Sequence, residues 1–159
     1  MNVKPYHTQR SKKEEVRTMF DHIAPHYDFL NHVLSFNIDR LWRRHVVNEV
    51  LRGCPRRVLD VATGTGDLAF ELVRRMPGAE VTGVDLSAGM LDAARRKAAA
   101  RGLKERVAFV QGDAERLDFG DAAFDAATVA FGVRNFGDLD VGLRELARTI
   151  KPGGRVVIL

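Results

Sequence analysis

The chain is poor in several residue types that would otherwise define its class. Among 159 residues there is one cysteine, Cys54, one tryptophan, Trp42, and only two tyrosines and five prolines. A lone cysteine cannot close an internal disulfide, which excludes the stapled secreted scaffolds and fits a reducing cytoplasm. No apolar run approaches the roughly 18 residues that a membrane-spanning helix requires. The opening MNVKPYHTQRSKKEE lacks an apolar core and does not read as a secretory signal. Internal repeats and low-complexity linkers are also missing. What is present is ordinary for a soluble domain with a real core: 45% hydrophobic and 29% charged residues. The net charge is +4. Basic residues gather at Arg40, Arg43 and Arg44, at Arg52, Arg56 and Arg57, and at Arg95, Arg96, Lys97 and Arg101. They read as solvated helix faces, compatible with transient contact with an anionic membrane surface. Stacking aromatics do not interleave them, so no nucleic-acid partner is expected.

Periodicity divides the chain in two. Residues 1–52 read as a helical cap: Val16, Met19, Phe20 and Ile23 share one helical face, Pro25 suits the first turn of a further helix, and Leu41, Val46 and Val50 mark another. Residues 53–159 then alternate strictly. Strands are predicted at 57–61, 80–84, 106–111, 124–130 and 154–159. Helices are predicted at 66–76, 88–101 and 139–150, the last with Leu143, Leu146, Ala147 and Ile150 on one side. That order predicts an α/β, doubly wound, mainly parallel sheet whose ligands bind at the carboxyl ends of the strands. The chain ends on the apolar run RVVIL, a bare strand edge, and is expected to be a fragment.

The most telling stretch is VLDVATGTGDLA, Val58 to Ala69: an apolar strand ending in a carboxylate, a glycine turn, then a helix. Gly64 and Gly66 let the main chain adopt unusual dihedrals and approach a ligand, and the following helix offers free N–H groups. Gly64, Gly66 and Ala69 also satisfy the dinucleotide fingerprint, with Asp85 at about the offset of a ribose-binding acid. Acids recur at successive strand ends: Asp60 on the first, Asp85 before the helix-capping Ser87 on the second, Asp113 on the third. Asp85 suits two vicinal ribose hydroxyls, though an acid at a helix start is also commonplace. Asp113 could accept from an adenine amine while the Ala114 N–H donates to a ring nitrogen; an ordinary loop acid is the alternative. Asp60 could orient the turn or attract a cationic ligand tail, since an unpaired buried charge is costly. Asp60 and Asp67, with no lysine or arginine in the turn, disfavour a pyrophosphate and favour a sulfonium cofactor.

The segments VLDVATGTGDLA, VTGVD, GDAERLDF and IKPGG resemble those of class I S-adenosylmethionine-dependent methyltransferases. YDFLNHVLSFNIDRLWRR, Tyr27 to Arg44, and FDAATVAFGVRNF, Phe124 to Phe136, resemble more narrowly the UbiE/MenG family. The resemblance implies a Rossmann-like methyltransferase sheet with five of the usual seven strands, and S-adenosyl-L-methionine as cofactor. It implies C-methylation of a polyprenyl quinol, demethylmenaquinol first, with the benzoquinol step of ubiquinone biosynthesis, another small-molecule methyl transfer or a non-catalytic cofactor-binding remnant as alternatives. Its cofactor residues here are Asp60, Gly64, Thr65, Gly66, Asp85, Leu86, Asp113 and Ala114. Arg134 is the candidate for stabilising a quinolate, with an ion pair as its structural alternative. Asn135 could bond a ring oxygen; Tyr27 and Asp28 could close over the cofactor, with His26 or His32 as base. Trp42, Phe29, Leu30, Val33 and Leu34 could form an apolar wall for the isoprenoid tail or simply the core of the cap. No metal site is expected. The implied enzyme is cytoplasmic, visits the inner face of the membrane, and is compatible with a homodimer.

Overall fold

The computed structural model describes Pro5, residues 11–24, Tyr27 and residues 38–159. The expectations placed on Pro25, His26, Asp28, Phe29, Leu30, His32, Val33 and Leu34 lie outside the described residues. Helix α1, Lys12–Ile23, starts at a capping box: the Ser11 hydroxyl accepts from Glu14 N–H and the Glu14 carboxylate accepts from Ser11 N–H. Helix α2, Ile38–Leu51, leads to strand β1, Arg57–Val61, and the glycine turn leads into helix α3, Asp67–Arg75. Strand β2, Glu80–Asp85, is followed by helix α4, Ala88–Ala100, which the Ser87 hydroxyl caps by accepting from Met90 N–H. Strands β3, Val107–Gln111, and β4, Phe124–Val129, precede a short 3-10 turn, Val133–Asn135. Helix α5, Leu139–Thr149, is capped by Asp138 and runs directly into strand β5, Ile150–Ile158.

All four strand pairings are parallel, in the order β3-β2-β1-β4-β5. The chain winds outward from β1 to β3, then crosses back to β4, so the topological switch falls between β1 and β4. Apolar clusters fill both faces of the sheet. One contains Val46, Val47 and Val50 of α2 with Leu68, Leu72 and Val73 of α3; the other contains Leu59, Val61, Phe124, Val129 and Leu146. Helix α2 therefore shares its core with the sheet.

Three expectations needed correction. Strand β5 begins at Ile150, four residues earlier than the apolar run suggested, because Ile150 already pairs with Phe124; the Pro152–Gly154 stretch is absorbed as a register shift before Arg155 meets Ala126. Leu41 is 61% exposed while Val46 and Val50 are buried, so the α2 stripe starts later than read. On α5 the buried positions are Gly142, Leu146 and Thr149, and Ala147 faces solvent. The remaining boundaries moved by one residue or less, since each is set by a cap or by a parallel neighbour.

Candidate functional site

A cleft of about 340 Å³ opens at the carboxyl ends of the strands, beside the switch point. Its floor is Val61, Ala62 and Gly64 at the end of β1, Val84 to Ser87 at the end of β2, and Gly112 to Glu115 after β3. Ala130, Phe131, Gly132, Arg134, Asn135 and Phe136 wall it on the β4 side. Its roof is the apolar face of α1 read from sequence: Val16, Met19, Phe20 and Ile23 turn onto the cleft. Tyr27 closes one side, edge-on to Phe20 at 6.1 Å between ring centroids. Asp85, Leu86, Asp113, Ala114, Gly64, Tyr27, Arg134 and Asn135 thus meet around one space.

Asp85 holds the centre. One carboxylate oxygen accepts from Gly64 N–H at 2.8 Å, the other from Ser87 N–H at 2.9 Å. The same side chain therefore ties the glycine turn to the start of α4. Burial raises its pKa, opposed by these backbone N–H bonds. Gly64 has φ +57°, and a side chain there would project into open space rather than protein, which leaves that position clear for a ligand.

Gly66 behaves differently. Its φ is +85°, its N–H is spent on Thr63 carbonyl at 3.0 Å, and an added Cβ would lie 2.7 Å from the Phe109 ring. Gly83 on β2 is crowded by the same ring at 2.7 Å. The space left by these two glycines belongs to Phe109, not to a ligand, and Gly66 borders neither cleft of the site.

Asp60 and Thr65 face a second, smaller cleft of about 60 Å³ bounded also by Tyr27, Arg43, Asp67 and Phe131. The Asp60 carboxylate is buried and accepts from two hydroxyls, Thr63 at 2.6 Å and Thr128 at 2.7 Å. It orients the turn through Thr63, one of the two roles its position suggested. Burial pushes its pKa up to about 6, against the lowering effect of the hydroxyl bonds. In the unfolded chain this group ionises near pH 4, so stability falls as pH rises from about 4 to 6 and then levels off. Asp60→Asn is expected to be more stable than the parent at pH 7.5 by up to roughly 3 kcal/mol, at about 1.4 kcal/mol per pKa unit. The difference should vanish near pH 4, as measured by denaturant unfolding at both pH values.

The turn itself carries no lysine or arginine, as read, but cations reach it from other elements. Lys97 of α4 donates to Thr65 Oγ1 at 2.9 Å and pairs with Asp67 at 2.9 Å, and Arg43 approaches Asp67 at 3.7 Å. These charges come from other elements, so inspection of the turn alone could not reveal them. Asp67 is neutralised and cannot discriminate between cofactors; Asp60 has only hydroxyl partners among the hydrogen bonds described. Arg134 is exposed, and among the described residues no carboxylate pairs with its guanidinium. Trp42 is half-exposed and packs against Phe131 with 5.6 Å between ring centroids, and Phe131 borders both clefts.

The model of the ubiE/COQ5 methyltransferase family matches residues 8–159. The chain belongs to that family. A demethylmenaquinone methyltransferase of Bacteroides fragilis is 48% identical over 157 residues, covering 99% of this chain and 64% of the relative. One from Thermus thermophilus is 56% identical over 141 residues, covering 89% of this chain and 63% of the relative. The chain thus spans somewhat under two thirds of the length of these ubiE/COQ5-type relatives. Among solved structures, the [4+2]-cyclase SpnF superposes with a TM-score of 0.79 at 30% identity, over 91% of this chain and 59% of that one. A cyclase on the same scaffold shows that the fold does not fix the reaction; membership of the ubiE/COQ5 family carries more weight.

Proposed function

We propose that this chain forms the cofactor-binding part of an S-adenosylmethionine-dependent C-methyltransferase whose acceptor is a polyprenyl quinol, demethylmenaquinol first. The observation that carries the reading is the cleft in which Gly64, Asp85, Leu86, Asp113 and Ala114 converge under an apolar roof. Its volume suits a nucleoside, its edge carries a carboxylate for ribose hydroxyls, and the open side of Gly64 leaves room beside the turn. Membership of the ubiE/COQ5 family and the named activity of the relatives support the acceptor.

When bound, the cofactor supplies an activated methyl group on a sulfonium. The chain's task is to position and to stabilise charge. Asp85 holds the ribose, and Asp113 with the Ala114 N–H reads the adenine edge. Asp60, ionised at neutral pH, sets a negative potential behind the turn that favours a cationic ligand. Thr65 borders the same small cleft. Arg134 and Asn135 stand on the opposite wall, where a quinol ring would lie. A guanidinium there would stabilise a quinolate, the form of the acceptor whose ring carbon is electron-rich. Holding the carbon in line with the methyl–sulfur bond contributes several kcal/mol. Tyr27 closes the space between the two reactants.

No helix among the described residues is long and apolar enough to cross a membrane. The acceptor dissolves in the bilayer, so the enzyme works from the cytoplasm and visits the inner membrane surface. The exposed Leu41 and Trp42 beside Arg43 and Arg44 support that approach.

The test uses the full-length protein with methyl-labelled S-adenosylmethionine and, separately, demethylmenaquinol and the demethylated benzoquinol. Label is expected in the naphthoquinol. Transfer to the benzoquinol alone would move the assignment to the ubiquinone branch, and transfer to neither would overturn the quinol acceptor. Calorimetry against NAD checks the cofactor; tighter binding of NAD would refute it.

A further inference from the structure

Helix α1 does more than roof the cleft: it is fastened across it at both ends. At its start, Lys12 Nζ donates to the carbonyls of Arg134 at 3.1 Å and Phe136 at 2.8 Å. Lys13 Nζ bridges Asp113 at 2.7 Å and Glu115 at 2.6 Å. Glu115 in turn accepts from the N–H groups of Gly137 at 2.6 Å and Asp138 at 3.0 Å. Two lysines and two carboxylates therefore join α1 to the loops after β3 and β4, one on each side of the switch point. At the far end Asp21 accepts from Ser87 Oγ at 2.6 Å and Gly89 N–H at 3.1 Å, at the first turn of α4. From Lys13 to Asp21 the helix rises about 12 Å, close to the length of an adenosine. The side chains between the fastenings, Val16, Met19 and Phe20, face the cleft.

Resting on the cofactor reading above, we propose that α1 is a double-ended strap governing exchange of the adenosyl ligand, with the Lys13 end as the one that opens. The Lys13 and Asp113 side chains are 32% and 31% exposed, so water and salt reach that pair. Asp113 is also the carboxylate assigned to the adenine. Its Oδ1 already accepts from Glu115 N–H and its Oδ2 from Lys13, so an arriving adenine amine must share an oxygen that already has a partner. Released, Lys13 leaves Asp113 to the ligand; after entry, the spare lone pairs of a carboxylate accommodate both partners. The strap acts on rates in both directions and leaves the equilibrium nearly unchanged.

The experiment measures association and dissociation of S-adenosylhomocysteine by stopped flow, with calorimetric Kd values, on full-length parent, Lys13→Met and Asp21→Asn proteins. Lys13→Met is expected to raise both rate constants at least fivefold with Kd held within threefold. Asp21→Asn should act in the same sense but less. In the parent, raising salt from about 0.05 to 0.5 M should speed both rates, because salt weakens partly exposed ion pairs such as Lys13–Asp113. This measurement needs no variant and decides the matter if Lys13→Met fails to fold. Unchanged rates, or a rise in dissociation alone with a matching loss of affinity, would overturn the strap. Absence of any binding by the parent would overturn the cofactor reading instead, and the strap with it.

Discussion

Asp85→Ala is expected to abolish measurable binding of S-adenosylmethionine. The carboxylate has two functions that one substitution removes together. It accepts from Gly64 and Ser87 N–H, which sets the spacing between the glycine turn and α4, and in the proposed site it presents its remaining lone pairs to the ribose. Each hydrogen bond to a charged acceptor contributes about 1.5–3 kcal/mol. Losing two to the ligand weakens Kd roughly 10²- to 10⁴-fold, before any disorder in the turn is counted. Titration calorimetry on the full-length protein is the direct measurement. Affinity within threefold of the parent would rule out the ribose contact. Relief of a buried charge keeps the fold from suffering in proportion, so far-ultraviolet circular dichroism should stay close to the parent.

Arg134→Ala is expected to lower kcat about 10²- to 10³-fold while the cofactor Kd stays within threefold. The magnitude is that of removing one donor aimed at a developing oxyanion, about 3–4 kcal/mol. The geometry favours an effect confined to turnover. Arg134 sits on the 3-10 turn Val133–Asn135, its carbonyl is fastened by Lys12, and its exposed side chain lies on the β4 side of the cleft, across from Asp85 and Asp113. With no carboxylate partner among the described residues, its removal leaves no charge orphaned. Lysine at this position should restore part of the rate, because the charge returns without the planar fork. Turnover equal to the parent's would exclude a role in catalysis.

Much of this arrangement was legible from residue order because it depends on short-range rules. The strand–turn–helix at Val58 to Ala69, the acids at Asp60, Asp85 and Asp113 and the cap at Ser87 are local features that survive without knowledge of neighbours. Asp85 and Gly64 converged as expected since a parallel β1–β2 pair places Asp60 beside Gly83 and Val61 beside Val84. Other features required the strand order. Thr128 reaches Asp60 only because β4 crosses back to lie against β1, in a register that sets those two residues opposite each other. Lys97 reaches Thr65 from the far end of α4, and Lys13 reaches Asp113 across 100 residues. Periodicity correctly grouped Val16, Met19, Phe20 and Ile23 but could not tell a face that covers a cleft from one that fills a core. At Gly66 the unusual dihedral follows the reading of the turn, but the close neighbour that a missing Cβ signals is an aromatic ring from β3.

That ring ties the turn to the sheet in a way that limits how the chain can vary. Phe109 keys into the hollows at Gly66 on the turn and Gly83 on β2, and meets Phe70 of α3 edge-on at 5.7 Å. Position 83 can therefore grow only if position 109 shrinks and the Thr63 methyl also gives way, whereas position 66 stays glycine even then because of its left-handed backbone. Three sites far apart in the sequence form one lock, and divergence at any of them must be read as a joint event rather than as three independent changes.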